Sequence, residues 1–250
     1  DIVETLQEQD LLDRTDLLIL SDHGCISADP NSRFSTSMAK EIFPEDLASK
    51  FVLVGGNSIY IKPGEEHAAP EIIYALQQDQ DIGAIFSSFP NCGTLPLALI
   101  GQEHERSPDI LFYPHWTTEL SEYGVPGIAK GTPGHGHGGT SRYEMNATLV
   151  AYGPSFKDST TINTPSGNID IAPTVLHLFG QPIDPILDGR VLTEAMKDGA
   201  SPGEIVPKEL SFTSRAEYPD FTYEATARIA RIDNTYYLRQ ANGTSTKKEI

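Results

Sequence analysis

The chain has 250 residues, of which 35 are acidic and 18 basic, and its net charge is −17. An acidic surface repels nucleic-acid backbones, which argues against a protein that coats DNA or RNA. Phosphate esters are not excluded as substrates, because bound divalent metal ions would outweigh the negative charge of the protein in the electric field near the substrate. No run approaches the roughly 18 apolar residues of a membrane-spanning helix. The two cysteines, Cys25 and Cys92, fit either a disulfide or two separate thiols, so the redox compartment stays open.

A helix followed by a strand is predicted at the start of the chain. Apolar residues at positions 2, 3, 6, 11 and 12 suit one face of a helix. The apolar run Leu17–Leu20, bounded by Asp16 and Ser21, is typical of a strand buried on both faces. This succession favours a βαβ-type layered architecture. Because no initiator methionine and no signal-type run precede the helix, we expect additional sequence before this chain.

Local patterns predict the other elements, and no repeat or clear linker divides them. The economical prediction is one domain over residues 1–250, with residues 200–250 as its C-terminal β extension. The predicted elements are a hairpin over 51–61 around Gly55-Gly-Asn-Ser58, a helix over 69–78, strands over 82–86, 110–112 and 147–151, a helix over 169–179 ended by Gly180, and a terminal hairpin over 223–239 around Asp233-Asn234.

The first cluster of chemically active residues, Ser21-Asp-His-Gly24, directly follows the first predicted strand. Open α/β sheets place ligands beyond the C-terminal ends of their strands, and Asp and His are natural ligands for zinc and similar metals. Adjacent residues of a regular strand point to opposite faces. Asp22 and His23 can therefore share one ion only where the chain bends, which Gly24 permits. A capping aspartate with an incidental histidine is the alternative, and spacing alone leaves both open.

The second cluster, Gly134-His-Gly-His-Gly-Gly139, places two histidines among four glycines. Glycine allows a positive φ or a close approach of the main chain to a ligand. A histidine in such a segment faces solvent or a ligand rather than the core. The pattern favours a metal site over a plain surface loop. His135 and also His115, from Tyr113-Pro-His-Trp116, are candidates for the wall of the same pocket.

In their order along the chain, these motifs resemble the type I phosphodiesterase/nucleotide pyrophosphatase family of the alkaline phosphatase superfamily. Each motif is short, and the order and spacing together carry the resemblance, which covers roughly residues 1–195. The matching stretches are Ser21-Asp-His-Gly24, His137-Gly138, Tyr152-Gly-Pro-Ser-Phe156, the segment 167–180 and Asp188-Gly-Arg-Val-Leu192.

The resemblance implies an α/β fold of alkaline-phosphatase type, with a sheet sandwiched by helices. Here the fold would lack its N-terminal part and carry a small β-hairpin at the C-terminus. The resemblance also implies a metal-dependent phosphodiesterase or pyrophosphatase, with two divalent ions, commonly zinc, bridging the phosphate of a small ester substrate. By match, Asp22 and His23 bind one ion, and His137 rather than His135 binds the other.

The chain departs from the family pattern before the first motif. The family's nucleophilic Thr or Ser and its remaining ligands lie upstream of Ser-Asp-His-Gly, and the 20 residues found there show none of them. We therefore expect the isolated chain to supply part of a two-metal site and to need an N-terminal segment or a second chain for turnover. Two alternatives stay open: hydrolysis of sulfuric or phosphonic esters on the same scaffold, and a non-catalytic chain that only binds a metal or a partner.

Overall fold

A computed structural model of the protein describes residues 1–29, 31–32, 39–89, 92–130 and 135–248. The fold is mixed α/β, with several sheets and few helices. The α-helices are α1 (Ile2–Glu8), α2 (Ala39–Ile42), α3 (Glu45–Ala48), α4 (Ala69–Gln78), α5 (Arg142–Met145) and α6 (Ile171–Leu178). The strands are β1 (Leu17–Leu20), β2 (Ile26–Ala28), β3 (Phe51–Val54), β4 (Ser58–Ile61), β5 (Ile82–Ser87), β6 (Leu95–Pro96), β7 (Ile110–Pro114), β8 (Trp116–Leu120), β9 (Pro126–Ala129), β10 (His135–Gly136), β11 (Leu149–Tyr152), β12 (Lys208–Glu217), β13 (Phe221–Ile232) and β14 (Thr235–Lys247).

The chain divides into two compact units. The first unit comprises residues 1–23, 147–210 and 230–237, and the second comprises residues 24–146, 211–229 and 238–250. The single domain predicted from the sequence stays a prediction. No helix within the described ranges is long and apolar enough to cross a membrane.

The core of the second unit is built on a five-stranded sheet in the order β3-β4-β7-β5-β6. Its strand β5 is buried along its whole length, as expected for a strand covered on both faces. Helix α4 buries Ile72, Ile73 and Leu76 in the same apolar cluster. The apolar positions of α4 recur at helical spacing, and Pro70 lies in its first turn, where a missing N–H costs nothing. The predicted hairpin, helix and strands of this region are confirmed.

A smaller four-stranded sheet of the second unit, β10-β2-β9-β8, holds both motif segments. Strand β2 begins two residues after Gly24, and β10 ends at the residue before His137. These strands pair antiparallel, with Ile26 opposite Gly136 and Ser27 opposite His135. The indole N–H of Trp116 donates to the carbonyl oxygen of Ala241 over 2.7 Å, which ties β8 to β14.

The first unit contains the antiparallel pair β1-β11 and the helices α1 and α6. Strand β1 forms as predicted, but its predicted burial on both faces is wrong, since Ile19 is 62% exposed and Leu20 44% exposed. These neighbours point to opposite faces, and β1 has one strand partner among the described residues. Both faces of the strand are therefore open to solvent near its C-terminal end.

Candidate functional site

The chain bends where β1 ends, and the bend brings Asp22 and His23 together. The ladder with β11 continues through Ser21, whose N–H donates to the carbonyl oxygen of Thr148 over 3.0 Å. At the next residue the chain leaves the strand, and the N–H of His23 donates to Oδ1 of Asp22 over 3.1 Å. This local turn removes the strand alternation that would have sent the two side chains to opposite faces.

The side chains of Asp22 and His23 lie close together. Nε2 of His23 lies 3.4 Å from Oδ2 of Asp22. Two ligands at about 2.0–2.2 Å from a tetrahedral zinc lie about 3.3–3.6 Å apart, so this separation matches one edge of such a site. The Asp22 side chain is 86% exposed and the His23 side chain 34% exposed, which leaves the carboxylate accessible to an ion.

Position 24 has no room for a side chain, because the backbone of another segment passes close to it. A Cβ on Gly24 would overlap the carbonyl oxygen of Tyr143 and would lie 2.8 Å from that of Asn146. The sequence suggested that Gly24 permits a bend, yet its φ does not lie in the left-handed region. The requirement is close packing against helix α5 and its C-terminal end. The N–H of Gly24 donates to the carbonyl oxygen of Glu144 over 2.8 Å.

The glycine-rich segment is held by the same helix. The N–H of Gly139 donates to Oε1 of Glu144 over 2.8 Å. The hydroxyl of Ser141 donates to Oε2 of Glu144 over 2.6 Å and accepts from the N–H of Glu144 at 3.2 Å. Ser141 is therefore the side-chain N-cap of α5, and the Glu144 carboxylate accepts from its hydroxyl rather than from its N–H. Gly138, with φ at 84°, lets the chain turn between His137 and this anchor.

Glu144 therefore holds Gly24 and Gly139, one glycine from each motif, within the second unit. The main-chain oxygen of Glu144 holds the glycine that follows His23, and its carboxylate holds the glycine two residues after His137. The β2–β10 pairing adds a second link between the same segments. His137 itself is exposed. Its predicted place beside Asp22 and His23 stays a prediction.

The two candidates for the pocket wall have different surroundings. The ring of His115 is half-buried, and its Nδ1–H donates to the carbonyl oxygen of Gly243 over 2.8 Å. This hydrogen bond links His115 to strand β14 within the second unit. The main chain of His135 lies in β10, while its side chain and residues 131–134, including the predicted Gly134, lie outside the described part of the structure.

A half-buried ion pair precedes the glycine-rich segment. Nζ of Lys130 lies 2.6 Å from Oδ2 of Asp29 and 3.8 Å from Oδ1 of Asp81. The hydrogen bond from Lys130 lowers the pKa of the Asp29 carboxyl, and the same bond raises the pKa of Lys130. The pair links the residue that follows β2 to the residue that follows β9.

The donor set of Asp22 and His23 fits part of a zinc site. A catalytic zinc takes about three protein ligands and keeps one open position, so the pair would supply two of them. Within the described ranges, no three side chains of His, Cys, Asp or Glu come together as a metal-binding group. The two cysteines form no disulfide.

Sequence reasoning missed two residues that shape this region. Glu144 had a readable signal, because Ser141-Arg-Tyr-Glu144 has the spacing of a capping box. Asn168 had none; its side chain reaches the carbonyl oxygen of Asp22 at 2.7 Å, a contact made by residues 146 positions apart.

No family model matches the chain, no curated protein matches it, and no solved structure matches it.

Proposed function

We propose that this protein is a metal-dependent hydrolase of phosphate esters, of phosphodiesterase or nucleotide pyrophosphatase type. Asp22 and His23 hold one divalent ion and His137 holds a second, with zinc as the metal. The observation that carries the proposal is the 3.4 Å separation between Nε2 of His23 and Oδ2 of Asp22 at the end of a strand. A second support is that Glu144 holds Gly24 and Gly139, one glycine from each motif, within the second unit.

An alkaline-phosphatase-like scaffold is part of the proposal. The order of the motifs along the chain supports it. Asp22 lies two residues beyond the end of β1.

The acidic charge of the protein supports a role for bound metal in substrate binding. A net charge of −17 repels a phosphodiester anion, whereas bound divalent ions reverse the sign of the local field. When bound, two such ions offset charge on the phosphoryl oxygens and activate an attacking hydroxyl. The task of Asp22, His23 and His137 is to hold the ions where the phosphate binds.

Zinc titration of metal-stripped protein tests the proposal directly. We expect the wild-type protein to bind zinc and His23→Ala to lose at least about 10-fold in affinity, since each site has few protein ligands. The matched control is His67→Ala. His67 is likewise a histidine paired with a carboxylate, with 3.7 Å between its Nε2 and Oε2 of Glu65. Equal zinc affinities for wild type and His23→Ala would mean that Asp22 and His23 form only a surface ion pair and do not bind the metal.

Turnover is measured in the natural protein that contains residues 1–250, not in the isolated chain. The substrates are bis-para-nitrophenyl phosphate and para-nitrophenyl sulfate. We expect zinc-dependent release of nitrophenol from the phosphodiester, abolished in His23→Ala and retained in His67→Ala. Faster cleavage of the sulfate would assign the site to sulfuric esters. Zinc binding at His23 without cleavage of either ester would leave a metal-binding protein and contradict the hydrolase.

A further inference from the structure

Two sequence motifs that have no part in the proposed metal sites pack against each other in the first unit. They are the turn Gly167-Asn-Ile-Asp170 and the segment Asp188-Gly-Arg190. The buried carboxylate of Asp170 joins them: Oδ2 accepts from the N–H of Gly167 at 2.9 Å, and Oδ1 accepts from the N–H of Arg190 at 2.8 Å. A Cβ on Gly189 would overlap the carbonyl oxygen of Ile169, so this contact also requires a glycine.

The junction is closed by a buried network of polar side chains. The hydroxyl of Tyr237 donates to the Asp170 carboxylate, with 3.0 Å to Oδ2 and 3.2 Å to Oδ1. Nε of Arg190 donates to the Tyr237 oxygen over 2.9 Å, and the guanidinium makes two further bonds to Glu194 at 2.6 and 2.9 Å. Each carboxylate in this network has its donors, so the turn is held rigidly in place.

The rigid turn presents Asn168 to the metal-ligand segment. Nδ2 of Asn168 donates to the carbonyl oxygen of Asp22 over 2.7 Å and reaches that of Ser21 at 3.3 Å. These carbonyls belong to the peptide groups on either side of Asp22, where the chain leaves β1. Rotation of either peptide group would change the direction in which the Asp22 and His23 side chains project.

We propose that Asn168 is a positioning residue for the Asp22–His23 metal-ligand pair. The inference rests on the proposed function, since it gives Asn168 a task at the same site. The hydrogen bonds of the Asn168 side chain go to main-chain oxygens, so its proposed effect on the ion passes through the backbone. Groups that orient metal ligands in this indirect way change metal affinity by roughly 10–100-fold when they are removed.

Two variants and one control test the positioning. Asn168→Ala removes the donor, and Asn168→Asp keeps the shape while placing a carboxylate oxygen against two carbonyl oxygens. Asn163→Ala, at an exposed asparagine of the same unit, is the control. In a zinc titration against a chromophoric chelator we expect both Asn168 variants to bind roughly 10-fold more weakly than wild type. Asn163→Ala should bind like wild type.

A metal-free measurement separates positioning from general stability. The N–H of His23 donates to Oδ1 of Asp22, so its hydrogen exchange and its NMR shift report on the turn. We expect both Asn168 variants to speed exchange at His23 while amides of α4 and β5 exchange as in wild type. Faster exchange throughout the chain would assign Asn168 a merely stabilising role and overturn the proposal.

The two proposals fail in different ways. If zinc affinity is the same in wild type and His23→Ala, the proposed function fails whatever Asn168 does. If His23→Ala abolishes zinc binding while both Asn168 variants keep wild-type affinity and wild-type exchange at His23, the function stands and the positioning role is overturned.

Discussion

The N–H of Gly24 donates to the carbonyl oxygen of Glu144 over 2.8 Å, which fixes the residue after His23 on helix α5. The approach is close enough that a single methyl group would disturb it, because a Cβ on Gly24 would overlap the carbonyl oxygen of Tyr143. The same helix holds Gly139 through the Glu144 side chain. Packing around α5 therefore controls the main chain beside both candidate metal-binding motifs.

The first prediction concerns the close approach at Gly24. We expect Gly24→Ala to lower the free energy of unfolding by about 1–3 kcal/mol, since the methyl group meets backbone atoms that cannot rotate away. The control is Gly136→Ala in the glycine-rich segment, where a Cβ would meet no atom within 4 Å. It should be close to neutral. Urea denaturation of both variants measures the difference, and equal losses would contradict the packing argument.

The second prediction concerns the Glu144 carboxylate. Glu144→Ala leaves the N–H of Gly139 and the hydroxyl of Ser141 without their acceptor in a buried place. We expect a loss of about 2–3 kcal/mol in the free energy of unfolding and a weaker affinity for zinc. Glu119→Ala removes the same charge from an exposed position and should change neither quantity. An unchanged zinc affinity in a folded Glu144→Ala protein would show that this anchor does not affect the metal site.

The third prediction separates the two histidines of the glycine-rich segment. We expect His137→Ala to weaken zinc binding strongly and His135→Ala to weaken it little, because the proposed function assigns the second ion to His137, on the resemblance of His137-Gly138 to a phosphodiesterase motif. Zinc titration of both variants, in the protein that carries this sequence, measures the effect. Equal losses would mean that His135 is the ligand or that both histidines bind.

The fourth prediction concerns the pH dependence of the Asp29–Lys130 pair. The pKa of Asp29 lies below its ordinary value of 3.8, chiefly because Lys130 donates a hydrogen bond to it. A lowered carboxyl pKa contributes stability that is complete above the unfolded-state pKa and is lost as pH falls through the folded-state pKa. Asp29→Asn should therefore melt at a lower temperature than wild type at pH 7, and the difference should shrink below about pH 4.

An exposed aspartate serves as the control for this measurement. Asp220→Asn removes the same charge at a surface position, and its melting temperature should equal that of wild type at pH 7 and at pH 3. A difference between wild type and Asp29→Asn that stays constant from pH 7 to pH 3 would show that the pair contributes through shape rather than through charge.

The sequence alone was sufficient for much of the secondary structure. The hairpin β3–β4 and helix α4 have the predicted boundaries within one residue. Strands β13 and β14 are neighbours in their sheet, joined through Asp233-Asn234 with Asp233 at φ 51°. These features depend on side-chain periodicity and on turn residues, which act over a few positions and can be recognised without knowing the fold. The motif Ser21-Asp-His-Gly24 was also found in this way.

The tertiary structure decided what surrounds the motifs. The exposure of Ile19 and Leu20 depends on which strands pair with β1, and the apolar run itself gives no information on that. The need for glycine at position 24 comes from a carbonyl about 120 residues away in the chain rather than from a bend. Asn168 reaches Asp22 from still farther along the sequence. Such contacts are made by groups that become neighbours only when the chain folds, so local spacing could identify the candidate ligands but not the residues that hold them in place.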